Sequence, residues 1–176
     1  MEAPLLMEFE PNHFFSSFFH TSKAILISPR DFFPRMKKKG DYLKPFVYML
    51  CCVAFHVVIF GVLHKNPNVM VKTLLLGMVF PLITAGILFV IVTRIFKATG
   101  SYETVFRINA YASAANLVTW LPLIGILLEL YRIYLIVVGL SEAFSIKLSQ
   151  AFLSVVLTMA VYIAAAAALT PVMGGQ

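Results

Sequence analysis

The residues with the clearest chemical potential are six polar side chains that interrupt long apolar stretches. They are His56, Asn109, Asn116, Glu129, Arg132 and Glu142. Ionisable groups at membrane depth often mark a pathway for ions, protons or small solutes. Amides and paired charges also join neighbouring helices through hydrogen bonds. Two interpretations therefore stay open: a polar cluster that converges on one cavity, or separate contacts that fix how the helices pack.

The spacing of the charged residues predicts two ion pairs. Glu129 and Arg132 are three residues apart and share one face of a helix. A lone charge at membrane depth costs a few kcal/mol, so each of the two is expected to compensate the other. Glu103 and Arg107 have the i, i+4 spacing of a second pair at the start of the preceding helix.

The remaining polar groups are expected to make contacts between helices. Asn109 and Asn116 are seven residues apart and therefore share a helix face, from which their amides can donate to a neighbouring helix. Glu142 lies near the cytoplasmic end of its helix and is expected to meet Arg94 or Arg107.

The sequence contains no pattern of a soluble-type active site. It has no glycine-rich phosphate loop, no HExxH and no nucleophile elbow. Cys51 and Cys52 are adjacent, so they cannot form an ordinary disulfide, and they lack the spacing of a metal site. Cys52 and His56 have i, i+4 spacing, but a thiolate is disfavoured in hydrocarbon. We therefore expect no enzyme, and no catalytic, cofactor-binding or metal-binding residues.

The composition is that of a membrane protein. With 60% hydrophobic residues and a mean hydropathy of +0.89, the 176-residue chain has more apolar surface than a soluble domain of this size could bury. Strand-type alternation is absent. The basic residues behind the net charge of +6 flank the apolar stretches. This position favours membrane topology and anionic lipid over nucleic acid as the explanation of the charge. We predict an all-α, polytopic membrane protein with no nucleic-acid partner.

Five transmembrane helices fit the apolar pattern. They cover about 45–63, 73–95, 102–120, 122–144 and 151–170. Pro122 can start the fourth helix because proline suits a first helical position, and Trp120 would lie at headgroup depth. An alternative has one helix over 108–128 and a short span after Arg132. We prefer the turn at Pro122 because it gives two full spans.

The N-terminal segment, 1–44, precedes these spans and is amphipathic and basic. Residues 1–12 are expected to be frayed, and a helix is predicted over 13–27. Its apolar face consists of Phe14, Phe15, Phe18, Phe19, Ile25 and Leu26. A helix of this length cannot span a bilayer, so we expect it to lie in the membrane interface with its phenylalanines toward lipid. The alternative is that it packs on the helix bundle.

A basic cluster follows this helix and consists of Arg30, Arg35, Lys37, Lys38 and Lys39. It is interpreted as a positive-inside anchor or as a site for anionic headgroups or the acidic patch of a partner. Basic residues are dense on this side of the predicted spans, whereas the opposite side has only Lys65 and Lys72. This asymmetry predicts a multi-pass protein of the inner (plasma) membrane, with the N terminus cytoplasmic and the C terminus outside.

Three stretches carry a resemblance to a known family. They are Pro29-Arg-Asp-Phe-Phe; Tyr111-Ala leading to Trp120-Leu-Pro-Leu-Ile-Gly125; and Gly139-Leu-Ser-Glu-Ala before an alanine-rich final span. In order and spacing, residues 28–170 resemble the Yip-domain family of Ypt/Rab-interacting membrane proteins. The chain has Ala110-Tyr111 where many eukaryotic members have Gly-Tyr, and it looks like a minimal, prokaryotic-type member. The resemblance implies a five-span domain over 45–170, with a short tail at 171–176.

The expected function is that of an integral membrane adaptor or scaffold that acts through helix packing. Its expected partners are membrane lipids and either another membrane protein or a second copy of the chain. The alternative is a small-solute or ion transporter, or an accessory subunit of an exporter complex, that uses the six polar residues. A third, weaker possibility is lipid handling by the N-terminal segment.

Overall fold

The protein is helical throughout the part of the chain that the computed structural model describes, which is residues 8–64, 67–118 and 125–173. Seven α-helices follow one another in the described ranges: α1 (Phe14–Ile27), α2 (Pro29–Arg35), α3 (Leu43–His64), α4 (Pro67–Arg94), α5 (Tyr102–Ala112), α6 (Gly125–Phe144) and α7 (Leu148–Met173). Two 3-10 helices, Pro11–His13 and Ser113–Leu117, precede α1 and follow α5. The predicted all-α class is confirmed for these ranges.

Two of the helices are long and apolar enough to cross a membrane. They are the Asn68–Arg94 part of α4 and the Leu148–Ala168 part of α7, and only 28% and 22% of their most apolar windows are buried. Such outward-facing apolar surface is what a lipid environment accommodates. Helix α3 has a shorter described apolar stretch, Leu43–Ile59, and α6 carries three charged residues. The crossing of all five predicted spans therefore remains a prediction.

The third predicted span is the one whose form differs most from expectation. A continuous α-helix was expected over 102–120, but α5 ends at Ala112 and the chain continues as the tighter 3-10 helix. The Ser113 hydroxyl donates to the Asn109 carbonyl at 3.2 Å, a contact of the kind that bends helices. The alternative of one helix over 108–128 is wrong for the same reason. Trp120 and Pro122 lie outside the described residues.

The N-terminal segment packs against the helix bundle. Thr21, Ser22 and Ile25 of α1 are buried, and the Ser22 and Tyr48 hydroxyls are hydrogen-bonded at 2.8 Å. The Tyr131 hydroxyl of α6 donates to the backbone carbonyl of Leu26 at 2.8 Å. These contacts support the alternative that α1 packs on the bundle.

The predicted apolar face of α1 is divided between the core and the surface. Ile25 is fully buried, while Phe15 and Phe19 are 76% and 68% exposed. At 100° per residue, the positions of Phe15 and Phe19 are rotated away from that of Ile25, so packing separates residues that the sequence pattern grouped together. The exposed phenylalanines leave a surface that can still contact lipid.

The core lies where α2, α3, α5 and α6 meet. Tyr111 forms its centre, with ring centroids 5.2 Å from Phe32 and 5.3 Å from Tyr48. Gly139 of α6 permits the close approach, because a Cβ there would be 2.6 Å from Ile108 Cγ2 and 3.1 Å from the Phe33 ring. The Pro29–Arg35 helix is thereby part of the bundle and not a surface appendage.

Candidate functional site

Four of the six predicted polar residues line one cavity. His56 from α3, Asn116 from the second 3-10 helix, and Glu129 and Arg132 from α6 surround a space of about 480 Å³ that is open on one side. Thr73 of α4 adds a hydroxyl to its wall. The cavity is bounded by residues of α3, α4, the second 3-10 helix and α6, and His56 lies within hydrogen-bonding reach of the Asn116 backbone.

A second cavity, of about 280 Å³, shares Glu129 and Arg132 with the first and is also lined by Asn109. Asn109 is fully buried, and its amide nitrogen donates to the Val105 carbonyl at 3.1 Å. Its side-chain oxygen has no hydrogen-bond partner among the described residues. The Glu129–Arg132 pair therefore lies between two spaces, and five of the six polar residues line one or the other.

The ion pair between these cavities is long. Arg132 Nη1 lies 3.8 Å from Glu129 Oε2, and the two side chains are 24% and 57% exposed. Arg132 Nε is buried and has no hydrogen-bond partner in the described part of the chain. The predicted pairing is confirmed, but each charge retains capacity for further hydrogen bonds.

The sixth residue, Glu142, lies elsewhere. Its side chain is exposed near the C-terminal end of α6, and within the described ranges no ion pair joins it to Arg94 or Arg107. The prediction of that contact is wrong for both arginines, and Arg107 is instead paired with Glu8 and Glu103. Arg107 Nε is 3.2 Å from Glu103 Oε1, which confirms the predicted i, i+4 pair.

Sequence reasoning missed the buried cluster around Arg107. The side chain is 1% exposed, and its Nη1 lies 3.3 Å from Glu8 Oε1. Its Nη2 donates to the Asp41 carbonyl at 2.8 Å. Gly40 leaves room for this approach, because its φ is +154° and a Cβ there would lie 3.2 Å from Nη2. The sequence offered one hint, which is that the acidic residues Glu8 and Glu10 lie near the start of a chain that is basic overall.

The residues next to Glu8 are also fixed in place, so the expectation that 1–12 is frayed is wrong from Glu8 onward. Phe9 is fully buried, with its ring centroid 5.8 Å from that of Tyr48. Glu10 forms an ion pair with Lys44 at 2.5 Å. Burial of one aromatic side chain and two ion pairs explains why this stretch is ordered.

All five members of the basic cluster are exposed. The backbone that carries them is nevertheless held at two points: Thr104 Oγ1 donates to the Lys38 carbonyl at 2.8 Å, and the Lys37 amide donates to Glu8. The cluster therefore lies at the end of the bundle where α3 and α5 begin.

An apolar cavity of about 530 Å³ separates α1 from α3. The phenylalanines of α1 form one wall, and Cys51, Phe55 and Val58 of α3 form the other. In the described part of the chain, no group of three or more His, Cys, Asp or Glu residues is placed to hold a metal ion.

Comparison with known proteins identifies the family. The family model of the Yip1 domain matches residues 23–169, which is most of the chain. Neither the curated proteins nor the solved structures gave a significant match. The matched range starts within α1 and ends within α7, so it includes α2 and the packed part of the N-terminal segment. The chain belongs to the Yip1 domain family and is a membrane protein of that family.

Proposed function

We propose that this protein is an integral membrane adaptor or scaffold whose basic cluster docks an acidic partner surface at the cytoplasmic face. The observation that carries the proposal is the fixed presentation of five exposed cations. Their backbone is held by the Thr104–Lys38 and Glu8–Lys37 hydrogen bonds. Because the backbone is already ordered, binding an acidic surface costs little additional conformational entropy.

The proposed topology has five spans, with the N terminus cytoplasmic and the C terminus outside the inner (plasma) membrane. Helices α3, α4, α6 and α7, together with α5 and its 3-10 extension, supply the spans. The N-terminal segment of 1–44 faces the cytoplasm, and 45–170 forms the membrane domain. The excess of Lys and Arg at the end where α3 begins supports this orientation.

Charge reversal tests the docking proposal. The triple variant Lys37→Glu, Lys38→Glu, Lys39→Glu should lose the partner that co-purifies with the wild-type protein in native detergent. The matched comparison is between two single variants, Lys38→Glu and Lys72→Glu. Lys72 is also an exposed lysine, but it lies near the start of α4 and outside the basic cluster, so only Lys38→Glu should weaken partner binding. Retention of the same partner by the triple variant, or only monomer from crosslinked wild-type membranes, would contradict the proposal.

The same variants separate a protein partner from lipid. Vesicles that contain anionic lipid, whose negative surface attracts clusters of basic side chains, serve as the second ligand. If the triple variant loses vesicle binding but keeps its protein partner, the cluster serves the membrane surface and the adaptor proposal fails. Unchanged vesicle binding excludes lipid handling by this cluster.

Passage of a small solute or ion is the second candidate. It is favoured by one observation, which is that the Glu129–Arg132 pair lies between two cavities. Purified protein in sealed vesicles would then conduct the solute, and Glu129→Gln would change the flux. Vesicles that contain the protein but are no leakier to ions or small amino acids than empty ones would exclude it.

A further inference from the structure

We propose that the cavity around Glu129 and Arg132 binds the headgroup of an aminophospholipid, with the phosphate on Arg132 and the primary ammonium on Glu129. This site is distant in sequence from the basic cluster and uses none of its residues. The inference is therefore independent of the adaptor function, and either can fail without the other.

The Glu129–Arg132 pair has unused hydrogen-bonding capacity. The ion pair between the two side chains has 3.8 Å between Arg132 Nη1 and Glu129 Oε2, which is too long for a strong hydrogen bond. Arg132 Nε is buried and without a hydrogen-bond partner among the described residues. A guanidinium carries five N–H donors and a carboxylate accepts at two oxygens, so both groups can bind a ligand while they remain neighbours.

The cavity presents charges of both signs. One cation and one anion stand within 4 Å of each other, so the cavity has no net charge from this pair. A simple anion would be repelled by Glu129 and a simple cation by Arg132. A ligand with both signs on neighbouring atoms is attracted by both residues, and a phosphate also suits the planar fork of a guanidinium.

The apolar lining of the cavity favours a lipid over a free zwitterion as the ligand. One wall of the cavity is apolar and includes Val53, Leu76 and Phe80. Leu76 and Phe80 are 53% and 46% exposed, and both belong to the Asn68–Arg94 stretch that is long and apolar enough to cross a membrane. Acyl chains can lie against these side chains while the headgroup enters between α4 and α6.

The cavity is also large enough for a headgroup. Its volume of about 480 Å³ is typical of a small-ligand pocket with a few polar groups on an apolar wall. Thr73, His56 and Asn116 lie on the walls around the pair. They supply polar atoms beside the ester oxygens of a headgroup, in a region where hydrocarbon offers none.

The test compares three lipids on the full-length protein in detergent, with binding followed by native mass spectrometry. Phosphatidylethanolamine has the primary ammonium, phosphatidylcholine has a nitrogen without N–H donors, and phosphatidylglycerol has no cation. Wild-type protein should prefer phosphatidylethanolamine over both others by about tenfold or more, as expected for a charge-assisted hydrogen bond. Glu129→Gln should abolish the preference over phosphatidylcholine, and Arg132→Gln should weaken binding of all three lipids.

Glu142→Gln is the matched control, because Glu142 is exposed on the same helix and does not line the cavity. Equal binding of the three lipids by wild-type protein would overturn the proposal, and this comparison needs no variant to fold. Retention of the preference by Glu129→Gln would also overturn it. Free O-phosphoethanolamine is the last probe: if it binds as tightly as the lipid, the ligand is a soluble zwitterion and the lipid assignment is wrong.

Discussion

Arg107 of α5 forms an ion pair with Glu8, which precedes it by ninety-nine residues, with 3.3 Å between Nη1 and Oε1. The same guanidinium contacts Glu103 one helical turn earlier and the Asp41 carbonyl in the segment before α3. Three segments that are distant in the sequence therefore converge on one buried side chain. This contact fixes the position of the N-terminal segment relative to the bundle.

Replacing Arg107 should destabilise the fold strongly. Arg107→Gln leaves the carboxylates of Glu8 and Glu103, each 12% exposed, close together without their cation. Removal of one partner from a buried ion pair typically costs about 3–5 kcal/mol. We expect a clear drop in the midpoint of thermal unfolding, measured by circular dichroism in detergent. Arg94→Gln changes an exposed arginine, so its free energy of unfolding should stay within about 0.5 kcal/mol of the wild-type value. Equal melting midpoints of the two variants would contradict the role of Arg107.

The distance along the chain explains why sequence reasoning found one Arg107 contact and missed the other. The Glu103 pair has i, i+4 spacing, which is a local rule of helix geometry. No such rule connects Glu8 with Arg107, because their proximity depends on how α2, α3 and α5 pack. For the same reason, the burial of Phe9 was missed and residues 1–12 were expected to be frayed.

Long apolar stretches were the most predictable elements. The span predicted over 45–63 is α3, Leu43–His64, and the span predicted over 151–170 is α7, Leu148–Met173. Both helices extend beyond the predicted spans, since α3 begins before Pro45 and α7 continues through Pro171. The change to a 3-10 helix at Ser113 was not predictable from hydropathy, because it alters backbone geometry within an equally apolar and small-residue stretch.

The candidate site was predictable in its residues more than in its geometry. The pattern indicated that His56, Asn116, Glu129 and Arg132 are unusual in apolar surroundings, and the structure places all four on one cavity. Whether they converged could not be known from the sequence, because they belong to three separate elements. Glu142 met the same criterion but lies outside the cavity, since the pattern cannot distinguish an exposed helix end from its interior.

The contact between α1 and the bundle should depend on the Ser22–Tyr48 hydrogen bond. Tyr48→Phe leaves the Ser22 hydroxyl buried without this partner, which we expect to cost about 1–2 kcal/mol. Ser22→Ala removes the other hydroxyl of the hydrogen bond. The double variant should therefore be no less stable than Tyr48→Phe alone. Such coupling in a double-mutant cycle of unfolding free energies would confirm the bond, whereas additive losses would contradict it.

Gly139 should resist enlargement more than another helical glycine. In Gly139→Ala, the new Cβ would be 2.6 Å from Ile108 Cγ2, so α2, α5 and α6 would have to move apart. Such overpacking typically costs about 1–3 kcal/mol. Gly86→Ala is the matched control, because its nearest neighbour is a Tyr102 ring atom at 4.0 Å, and the higher helix propensity of alanine should leave it neutral or slightly stabilised. If the two variants have the same melting midpoint, the close packing at Gly139 is not required.

The proposed orientation can be tested with single cysteines. In a background of Cys51→Ala and Cys52→Ala, an impermeant thiol reagent added to intact cells should not label Lys38→Cys, because the proposal places it in the cytoplasm. Lys72→Cys should be labelled, and inverted membrane vesicles should reverse the result. Labelling of both positions from the same side would contradict the proposed spans.

Because synthesis starts at the N terminus, the Glu8–Arg107 contact joins residues that are made at different times. When Arg107 emerges from the ribosome, Glu103 has emerged one helical turn before it and Glu8 ninety-nine residues before it. The Arg107 guanidinium can therefore enter an assembling bundle in which both of its counter-ions are already present. A chain from which the residues before Pro11 have been removed would have to assemble α5 around an arginine that lacks one of its two carboxylate partners.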